Sequence, residues 1–349
     1  MNKKVKKKLY LSAAIASVLL LSACSIAPIQ PQQTTSTEVT DSLEQRLMTH
    51  LNQLEKIAAQ HGGNRAVGTE GGKATAAYIL TEAKKSGFNA QILPFENRNK
   101  IVGQNIIVEI KGQNLNQATM IGAHYDSVTM GPGINDNGTG VAVLLELIKQ
   151  QAETKNQPKN TLYFAFWDSE EDGIGGSQDF VKKMSAEQLK GINAYINVDM
   201  VGTKDPNILV ADVDKSSLKD LEAQFISAGL SEPDYKPMID GLKSLPSHPG
   251  DTVLEEHLKS FFKAQNLTIK EDITTLTASD TAPFLGKVPV TSIILFNEKD
   301  RPGANEGETI LDFALCYHQA CDTSKHVDSK SMVLTINAIQ HLLKALNTQ

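Results

Sequence analysis

Short apolar segments alternate with helix-like segments through most of this 349-residue chain, and that alternation limits the possible folds more than any other feature. Several of these segments are hydrophobic at nearly every position, which is typical of strands buried on both faces of a parallel sheet. Strands that alternate with helices predict helices on both sides of such a sheet. We therefore predict an α/β fold, a three-layer sandwich with a central mixed, mainly parallel sheet flanked by helices. The predicted strands cover residues 106–110, 120–123, 162–167, 195–200 and 290–296.

Apolar residues at helical spacing predict the helices of the outer layers. Leu43, Leu47, Leu51 and Leu54 recur at intervals of four, four and three residues, so they share one face of a helix. Residues 41–44, Asp-Ser-Leu-Glu, predict a capping box at its start. Further helices are predicted at residues 72–85, 141–148, 177–184, 217–228, 252–264 and 332–346.

The N-terminus has the composition of an export signal. Five lysines occur within the first eight residues, and residues 9–21 are almost entirely apolar but too short for a comfortable membrane span. The sequence Leu-Ser-Ala-Cys that follows resembles the lipobox of bacterial lipoproteins, which predicts lipidation of Cys24 and attachment to a membrane. The alternative is an ordinary secretory signal in which Cys24 occurs by chance. The chain is therefore predicted to be exported, as a cell-envelope lipoprotein of the outer membrane and periplasm or as a secreted protein.

The rest of the chain predicts a tether followed by one domain. After a signal peptide at residues 1–23, residues 24–40 are rich in Pro, Gln, Thr and Ser and cannot bury enough apolar surface to fold. Residues 41–349 are predicted to form a single domain. Within it, four prolines mark residues 214–250 as an insertion.

The charge balance argues against nucleic acid as a partner. Acidic residues outnumber lysine and arginine by 40 to 34, and the formal net charge is −6. Binding to phosphates needs clustered positive charge, and this sequence has only four arginines. We predict no nucleic-acid partner.

Polar residues follow the predicted strands, at the positions where functional groups gather in α/β sheets. His124 and Asp126 follow the strand at 120–123 and point to the same side. Asp126 could accept a hydrogen bond from the second ring nitrogen of a metal-bound histidine, as carboxylates often do. Asp136 lies in a glycine-rich loop at 131–140, where its charge would repel a phosphate and favour a cation. The structural alternatives are an ordinary His-x-Asp pair and a surface turn.

Two further acidic positions also indicate metal binding. Glu170 and Glu171 directly follow a predicted strand, and adjacent carboxylates repel each other unless a positive group is near. A metal ion would allow one glutamate to bind and leave the other free as a base. Asp199 lies within an otherwise apolar strand, where a carboxylate is rarely buried without a partner. An acidic surface turn and a hydrogen-bonded buried acid are the alternatives.

The last candidate metal ligand, His318, lies between two cysteines. Cys316 and Cys321 enclose Tyr317 and His318 in a Cys-x-His-x-x-Cys sequence, which could be a fragment of a structural zinc site. Because the chain is predicted to be exported, a disulfide is the favoured interpretation. It would hold Tyr317 and His318 rigidly.

Taken in order, these motifs resemble the M28 family of di-zinc aminopeptidases, which includes secreted Streptomyces and Vibrio enzymes. The resemblance runs from residues 64–69 to residues 322–323, most of the mature chain. The matching sequences are HYDS (124–127), NDNGTG (135–140), FWDSEEDG (166–173), NVDMVG (197–202), SDTAPF (279–284) and CYH (316–318).

The resemblance implies two zinc ions per chain and a role for each matching side chain. His124 and Asp199 would hold one Zn²⁺, Glu171 and His318 the other, and Asp136 would bridge them. The implied reaction removes amino acids from peptides with a free N-terminus by attack of a water that bridges the two ions. The implied helpers in this reaction are Glu170 as general base, Asp126 as the orienting carboxylate and Tyr317 as the group that polarises the substrate carbonyl.

The sequence departs from the family in several places. Many relatives have glycine at the position of Asp168 and arginine at the position of Ala278, and a protease-associated insert is missing here. Alternatives on the same fold are a carboxypeptidase or dipeptidase, which would need a cationic clamp for the substrate carboxylate, and a glutaminyl cyclase. A further alternative is a catalytically silent lipoprotein that binds peptides.

Overall fold

A computed structural model describes residues 41–154, 156–297, 299–302 and 309–347. The predicted signal peptide, the tether and Cys24 lie outside these residues. The chain from Asp41 onward forms one compact unit. None of the helices in the described part has the length and apolar character needed to cross a membrane.

The described residues contain ten strands and nine α-helices. The strands are β1 (Ala90–Glu96), β2 (Val102–Ile110), β3 (Asn114–His124), β4 (Asn160–Trp167), β5 (Ile192–Asp199), β6 (Asn207–Ala211), β7 (Ile269–Asp272), β8 (Val290–Phe296), β9 (Lys299–Pro302) and β10 (Thr309–Asp312). The helices are α1 (Leu43–Gln60), α2 (Glu70–Lys85), α3 (Thr139–Thr154), α4 (Gly175–Lys183), α5 (Ala186–Lys190), α6 (Leu218–Ser227), α7 (Glu232–Lys243), α8 (Asp251–Ala264) and α9 (Ser329–Leu346).

Eight of the strands form one mixed sheet in the order β1-β2-β4-β3-β5-β8-β6-β7. Four neighbouring pairs are parallel, β4–β3, β3–β5, β5–β8 and β6–β7. The other three pairs, β1–β2, β2–β4 and β8–β6, are antiparallel. β9 and β10 form a separate hairpin. The predicted α/β fold with a mixed, mainly parallel sheet is confirmed.

The two faces of the sheet support two separate cores. Along β4, Phe164 and Phe166 belong to a core that also takes side chains from α1, α2, α3, α8 and α9. The alternating residues Ala165 and Trp167 belong to the opposite core, which α4 and the shorter segments cover. Because successive strand residues point to opposite faces, a strand between two helical layers must be apolar throughout. That requirement explains why the central strands were recognisable in the sequence.

Elements outside this central region differ from the prediction. β1 was not predicted, because it is a half-exposed edge strand that contains Pro94, and such strands have no apolar run. The capping box lies one residue later than predicted, with Ser42 as N-cap and Gln45 as its partner. In the segment 214–250, α6 confirms the helix predicted at residues 217–228, whereas α7 was not predicted. Pro233 lies in the first turn of α7, where its missing N–H costs no helical bond, and Pro237 lies inside the helix. That segment being an insertion stays a prediction.

Gly122 in β3 packs tightly against two aromatic side chains, and this contact gives a prediction about stability. A Cβ atom added to Gly122 would lie 2.5 Å from both Trp167 Nε1 and the Tyr195 hydroxyl, which hydrogen-bond each other. Gly122→Ala should therefore lower the free energy of unfolding by ~1–3 kcal/mol, as overpacking of a core does. Urea denaturation followed by circular dichroism measures the change.

Gly241→Ala is the matched control. Gly241 lies in α7 with no atom within 4 Å of an added Cβ, and alanine is favoured over glycine in a helix by about 1 kcal/mol. This variant should be as stable as the unsubstituted chain or more so. Equal stability of both variants would contradict the packing argument.

Candidate metal centre

Three adjacent parallel strands end at one place on the sheet. β4, β3 and β5 lie side by side, and their last residues are Trp167, His124 and Asp199. The loop that carries Glu170 and Glu171 begins directly after Trp167. These positions are the carboxyl ends of the strands, where the polar residues of the sequence were predicted to gather.

Asp136 lies between two histidines at this edge of the sheet. Its Oδ1 atom is 3.3 Å from His124 Nε2, and its Oδ2 atom is 3.1 Å from His318 Nε2. Each oxygen of one carboxylate therefore faces a different imidazole. Asp136 belongs to a buried turn, Ile134–Gly138, immediately before α3.

A second carboxylate accompanies each histidine. His124 Nε2 lies 3.5 Å from Asp199 Oδ1, and His318 Nε2 lies 3.1 Å from Glu171 Oε2. The structure thus brings together all five side chains that were predicted as ligands. They form two groups of three that share Asp136. Their role as ligands stays a prediction.

The exposure of these side chains shows where the group meets solvent. His124 is 1% exposed, whereas the side chain of His318 is 35% exposed. Substrate would therefore approach from the His318 side. Asp199 Oδ1 and Glu171 Oε1 are buried without a hydrogen-bond partner. Unpartnered buried carboxylate oxygens are costly, and a cation would satisfy them.

The donor set fits zinc. Imidazole nitrogens and carboxylate oxygens are common zinc ligands, and structural or catalytic sites use three or four of them. Here each group of three offers one imidazole and two carboxylates, with Asp136 counted in both. Room for a further ligand in each group is what a catalytic site requires.

The negative charge of the cluster shifts the pKa values of its members. Burial and the charge of Asp136 raise the pKa of Glu171 to about 7. Burial alone would lower the pKa of His318, but contacts with Asp136 and Glu171 raise it to about 10. Burial disfavours the charge on His124 as well, yet Asp199 and the other carboxylates raise its pKa well above the usual value. The cluster therefore stabilises positive charge strongly.

Asp126 makes its hydrogen bonds to the glutamate loop. Its Oδ1 atom accepts from the Glu170 N–H at 3.0 Å, and its Oδ2 atom accepts from the Glu171 N–H at 3.3 Å. His124 Nδ1 is 3.4 Å from Asp126 Oδ1 without forming a hydrogen bond. Asp126 thus fixes the loop directly and lies beside the histidine that it was predicted to orient. Burial, with Asp280 and Asp199 contributing, raises the pKa of Glu170 well above its ordinary value.

A disulfide closes the loop that carries the exposed histidine. Cys316 and Cys321 are bonded as predicted, with their Cα atoms 5.3 Å apart. Between them the Tyr317 and His318 rings stack at a centroid distance of 3.8 Å. Burial and the charge of Asp136 raise the pKa of Tyr317 far above its usual range, so its hydroxyl stays protonated. A protonated hydroxyl at this place can donate a hydrogen bond.

Three buried residues around the metal centre had no role assigned from the sequence. Arg65 is fully buried, and its guanidinium donates to the carbonyls of Tyr125, Pro132 and Gly133. The Asn137 amide donates to the carbonyl of Val198 at 2.9 Å and accepts from the N–H groups of Gly140 and Met200. The Asp322 carboxylate accepts from the N–H groups of Asn135 and Asp136. All three act on backbone groups, which carry no signature in a sequence, although all three lie within segments that resemble the family.

A second acidic cluster in the described residues already contains a cation. Asp212, Asp214, Glu255 and Glu271 offer carboxylate oxygens within 4.8 Å of one another. The Lys259 ammonium lies 2.6 Å from Glu255 Oε1 and 2.5 Å from Glu271 Oε1. This lysine pairs with two of the four carboxylates, so the geometry is that of an ion-pair network.

Curated proteins with similar sequences include several peptidases. The chain is 27% identical to leupeptin-inactivating enzyme 1 of Streptomyces exfoliatus over 97% of its own length and 68% of that protein. It is 28% identical to an aminopeptidase of Pseudomonas aeruginosa over 69% of its own length and 41% of that protein. It is 40% identical to the "probable lipoprotein aminopeptidase LpqL" of Mycobacterium tuberculosis over 35% of its own length and 24% of that protein.

Solved structures share the fold at lower identity. A zinc aminopeptidase from Bacillus subtilis matches 87% of this chain and 95% of its own, with a TM-score of 0.62 and 16% identity. A glutaminyl cyclase from Porphyromonas gingivalis matches 88% of this chain and 100% of its own, with a TM-score of 0.62 and 18% identity. The sequence profile of Peptidase family M28 matches residues 105–343, which include all five side chains of the cluster. The chain belongs to the M28 family of peptidases.

Proposed function

We propose that this protein is an aminopeptidase that holds two zinc ions and removes amino acids from the N-termini of peptides. The observation that carries the proposal is the position of Asp136, with each carboxylate oxygen facing a different histidine. A carboxylate in that position is suited to bridge two cations. Membership of a peptidase family and the aminopeptidases among the relatives support the same reaction class.

The distances within each group support a shared ion. Two ligands that each lie about 2.0–2.1 Å from one tetrahedral zinc ion are about 3.3 Å apart. The four contacts among the five side chains measure 3.1–3.5 Å. Each pair therefore has the separation of two ligands of one ion. His124 and Asp199 would hold the first ion and Glu171 and His318 the second, with Asp136 common to both.

The proposed reaction is hydrolysis of the first peptide bond. Bound zinc ions would supply Lewis acidity, which lowers the pKa of a coordinated water from its bulk value to about 7. Glu170, in the same loop as Glu171, accepts a proton from the attacking water at a carboxylate oxygen. It then delivers this proton to the nitrogen of the leaving amine, so that one water is consumed and one peptide bond is broken. Tyr317 donates a hydrogen bond to the carbonyl oxygen as negative charge develops there.

The charges around the centre favour the amino end of a substrate. In their ionised forms, Glu170, Asp199 and Asp280 would place negative charge close to the proposed ions, and this charge would attract an α-ammonium group. A carboxypeptidase would need an available cation to bind the substrate carboxylate. Arg65 is fully buried and donates to backbone carbonyls, so it cannot be that cation.

We propose further that the protein is exported and held on a membrane through lipidated Cys24. The support is the lipobox-like sequence that ends at Cys24 and the name of one relative, the "probable lipoprotein aminopeptidase LpqL". Peptides in the cell envelope or outside the cell would then be the substrates.

Substitution of the proposed base gives the first test. Glu170→Gln keeps the size of the side chain but removes its ability to accept a proton. The kcat for a leucine arylamide should fall about 10²–10⁴-fold, which is the usual contribution of general acid–base catalysis. Zinc content, measured by plasma mass spectrometry, should stay unchanged. Full activity of this variant would remove Glu170 from the mechanism.

Metal removal gives the second test. Dialysis against a chelator should abolish hydrolysis, and titration with Zn²⁺ should restore it at two equivalents per chain. Because zinc binds only the folded state, its addition should also raise the melting temperature; a ligand at 100 times its Kd stabilises by about 2.7 kcal/mol. His124→Ala should reduce the stoichiometry. A single equivalent in the unsubstituted chain would contradict the two-ion centre.

A substrate panel decides between the activities that this fold supports. The metal-loaded protein should hydrolyse leucine arylamide and fail to hydrolyse its N-acetylated form, because the amino terminus would be bound by the acidic side chains. A peptide that begins with glutamine should release free glutamine, measured by mass spectrometry. Formation of pyroglutamate would instead identify a glutaminyl cyclase, and removal of C-terminal residues from an N-blocked peptide would identify a carboxypeptidase.

A further inference from the structure

Asp322 accepts hydrogen bonds at both carboxylate oxygens from the turn that carries Asp136. Its side chain is 2% exposed. Oδ1 accepts from the Asn135 N–H at 2.8 Å and Oδ2 from the Asp136 N–H at 3.1 Å. The main-chain carbonyl of Asp322 accepts from the Ile134 N–H at 3.3 Å. Three consecutive N–H groups of the turn therefore point at one residue.

The same residue belongs to the segment that carries His318. Asp322 follows the disulfide-bonded Cys321, and its N–H donates to the carbonyl of Gln319 at 3.0 Å. The residue thus links the two loops that carry His318 and Asp136. The contact between their side chains, 3.1 Å from His318 Nε2 to Asp136 Oδ2, depends on the relative position of these loops.

We propose that Asp322 is a positioning residue for the metal centre, which sets the place and the orientation of Asp136 relative to His318. This inference rests on the proposed zinc centre. A carboxylate has two acceptor oxygens and no donor, so each oxygen can serve one of two adjacent N–H groups. An amide at this position would direct an NH₂ group at one of them. Partners of this kind hold metal ligands in place, and their loss typically weakens metal affinity by about 10- to 100-fold.

The test is zinc affinity in the full mature chain carrying Asp322→Asn. Kd is measured by competition with a chromogenic chelator, together with the melting temperature of the metal-free protein. Zinc affinity should weaken about 10- to 100-fold. With saturating zinc, kcat for leucine arylamide should fall while KM stays within twofold, because Asp322 does not contact substrate.

Asp251→Asn is the matched control. Asp251 is also 2% exposed and also accepts from two backbone N–H groups, those of His248 and Val290. Val290 is the first residue of β8, so this site lies at the opposite end of the sheet from the metal centre. Asp251→Asn should lower the melting temperature of the metal-free protein and leave zinc affinity unchanged.

The outcomes separate this inference from the proposed function. Zinc affinity of Asp322→Asn within twofold of the unsubstituted chain, with only the melting temperature lowered, would overturn the positioning role and leave the zinc centre standing. An unsubstituted chain that binds no zinc would overturn both. Should Asp322→Asn fail to fold, Asp322→Ser provides one small acceptor in place of two; it should show at least a tenfold loss of affinity, and unchanged affinity would overturn the inference.

Discussion

The organisation of this protein depends on placing several carboxylates within a few ångströms of one another in a buried position. Asp136 alone faces two histidines, and Glu171 and Asp199 lie against the same rings. Like charges at such distances repel unless cations or protons intervene, and burial increases the cost. Burial and, after it, the charge of Asp136 raise the pKa of Glu171. A fold can tolerate such a cluster only when its framework is rigid, and here three strand ends, a buried turn and a disulfide provide that framework.

The carboxylates near the centre divide into two classes according to what they face. Asp136, Glu171 and Asp199 turn oxygens towards the histidines and keep some of them without hydrogen-bond donors. Asp126 and Asp322 instead accept hydrogen bonds from backbone N–H groups of the loops that carry Asp136 and Glu171. Hydrogen bonds from N–H groups stabilise a carboxylate charge in place. Asp126 and Asp322 can therefore fix the loops while their oxygens are occupied by N–H groups. The buried guanidinium of Arg65 offsets part of the negative charge of these two carboxylates.

The sequence predicted the central strands for one physical reason, whereas the full set of five side chains followed from the resemblance to the M28 family. Strands covered on both faces must be apolar throughout, so a polar residue at their ends stands out, as His124 and Asp199 do. Edge elements carry no such contrast: β1 is half-exposed and contains Pro94. α7 was not predicted either, because prolines usually interrupt helices; here Pro233 lies in the first turn, where it is harmless, and Pro237 lies inside the helix. Arg65, Asn137 and Asp322 were not assigned roles because they bind backbone groups, and only the folded chain shows which carbonyls and N–H groups they reach.

The fold does not by itself select the reaction, since a zinc aminopeptidase and a glutaminyl cyclase match this chain with the same TM-score. The choice must come from side chains. A centre that needed a single ion could be built from Asp136, Glu171 and His318 alone. In this chain His124 and Asp199 complete a second group around the same carboxylate, at 1% and 10% side-chain exposure. Burying an imidazole against two carboxylates costs free energy that a fold gains nothing from unless the group binds something. The completeness of that second group therefore supports the proposed two-ion centre.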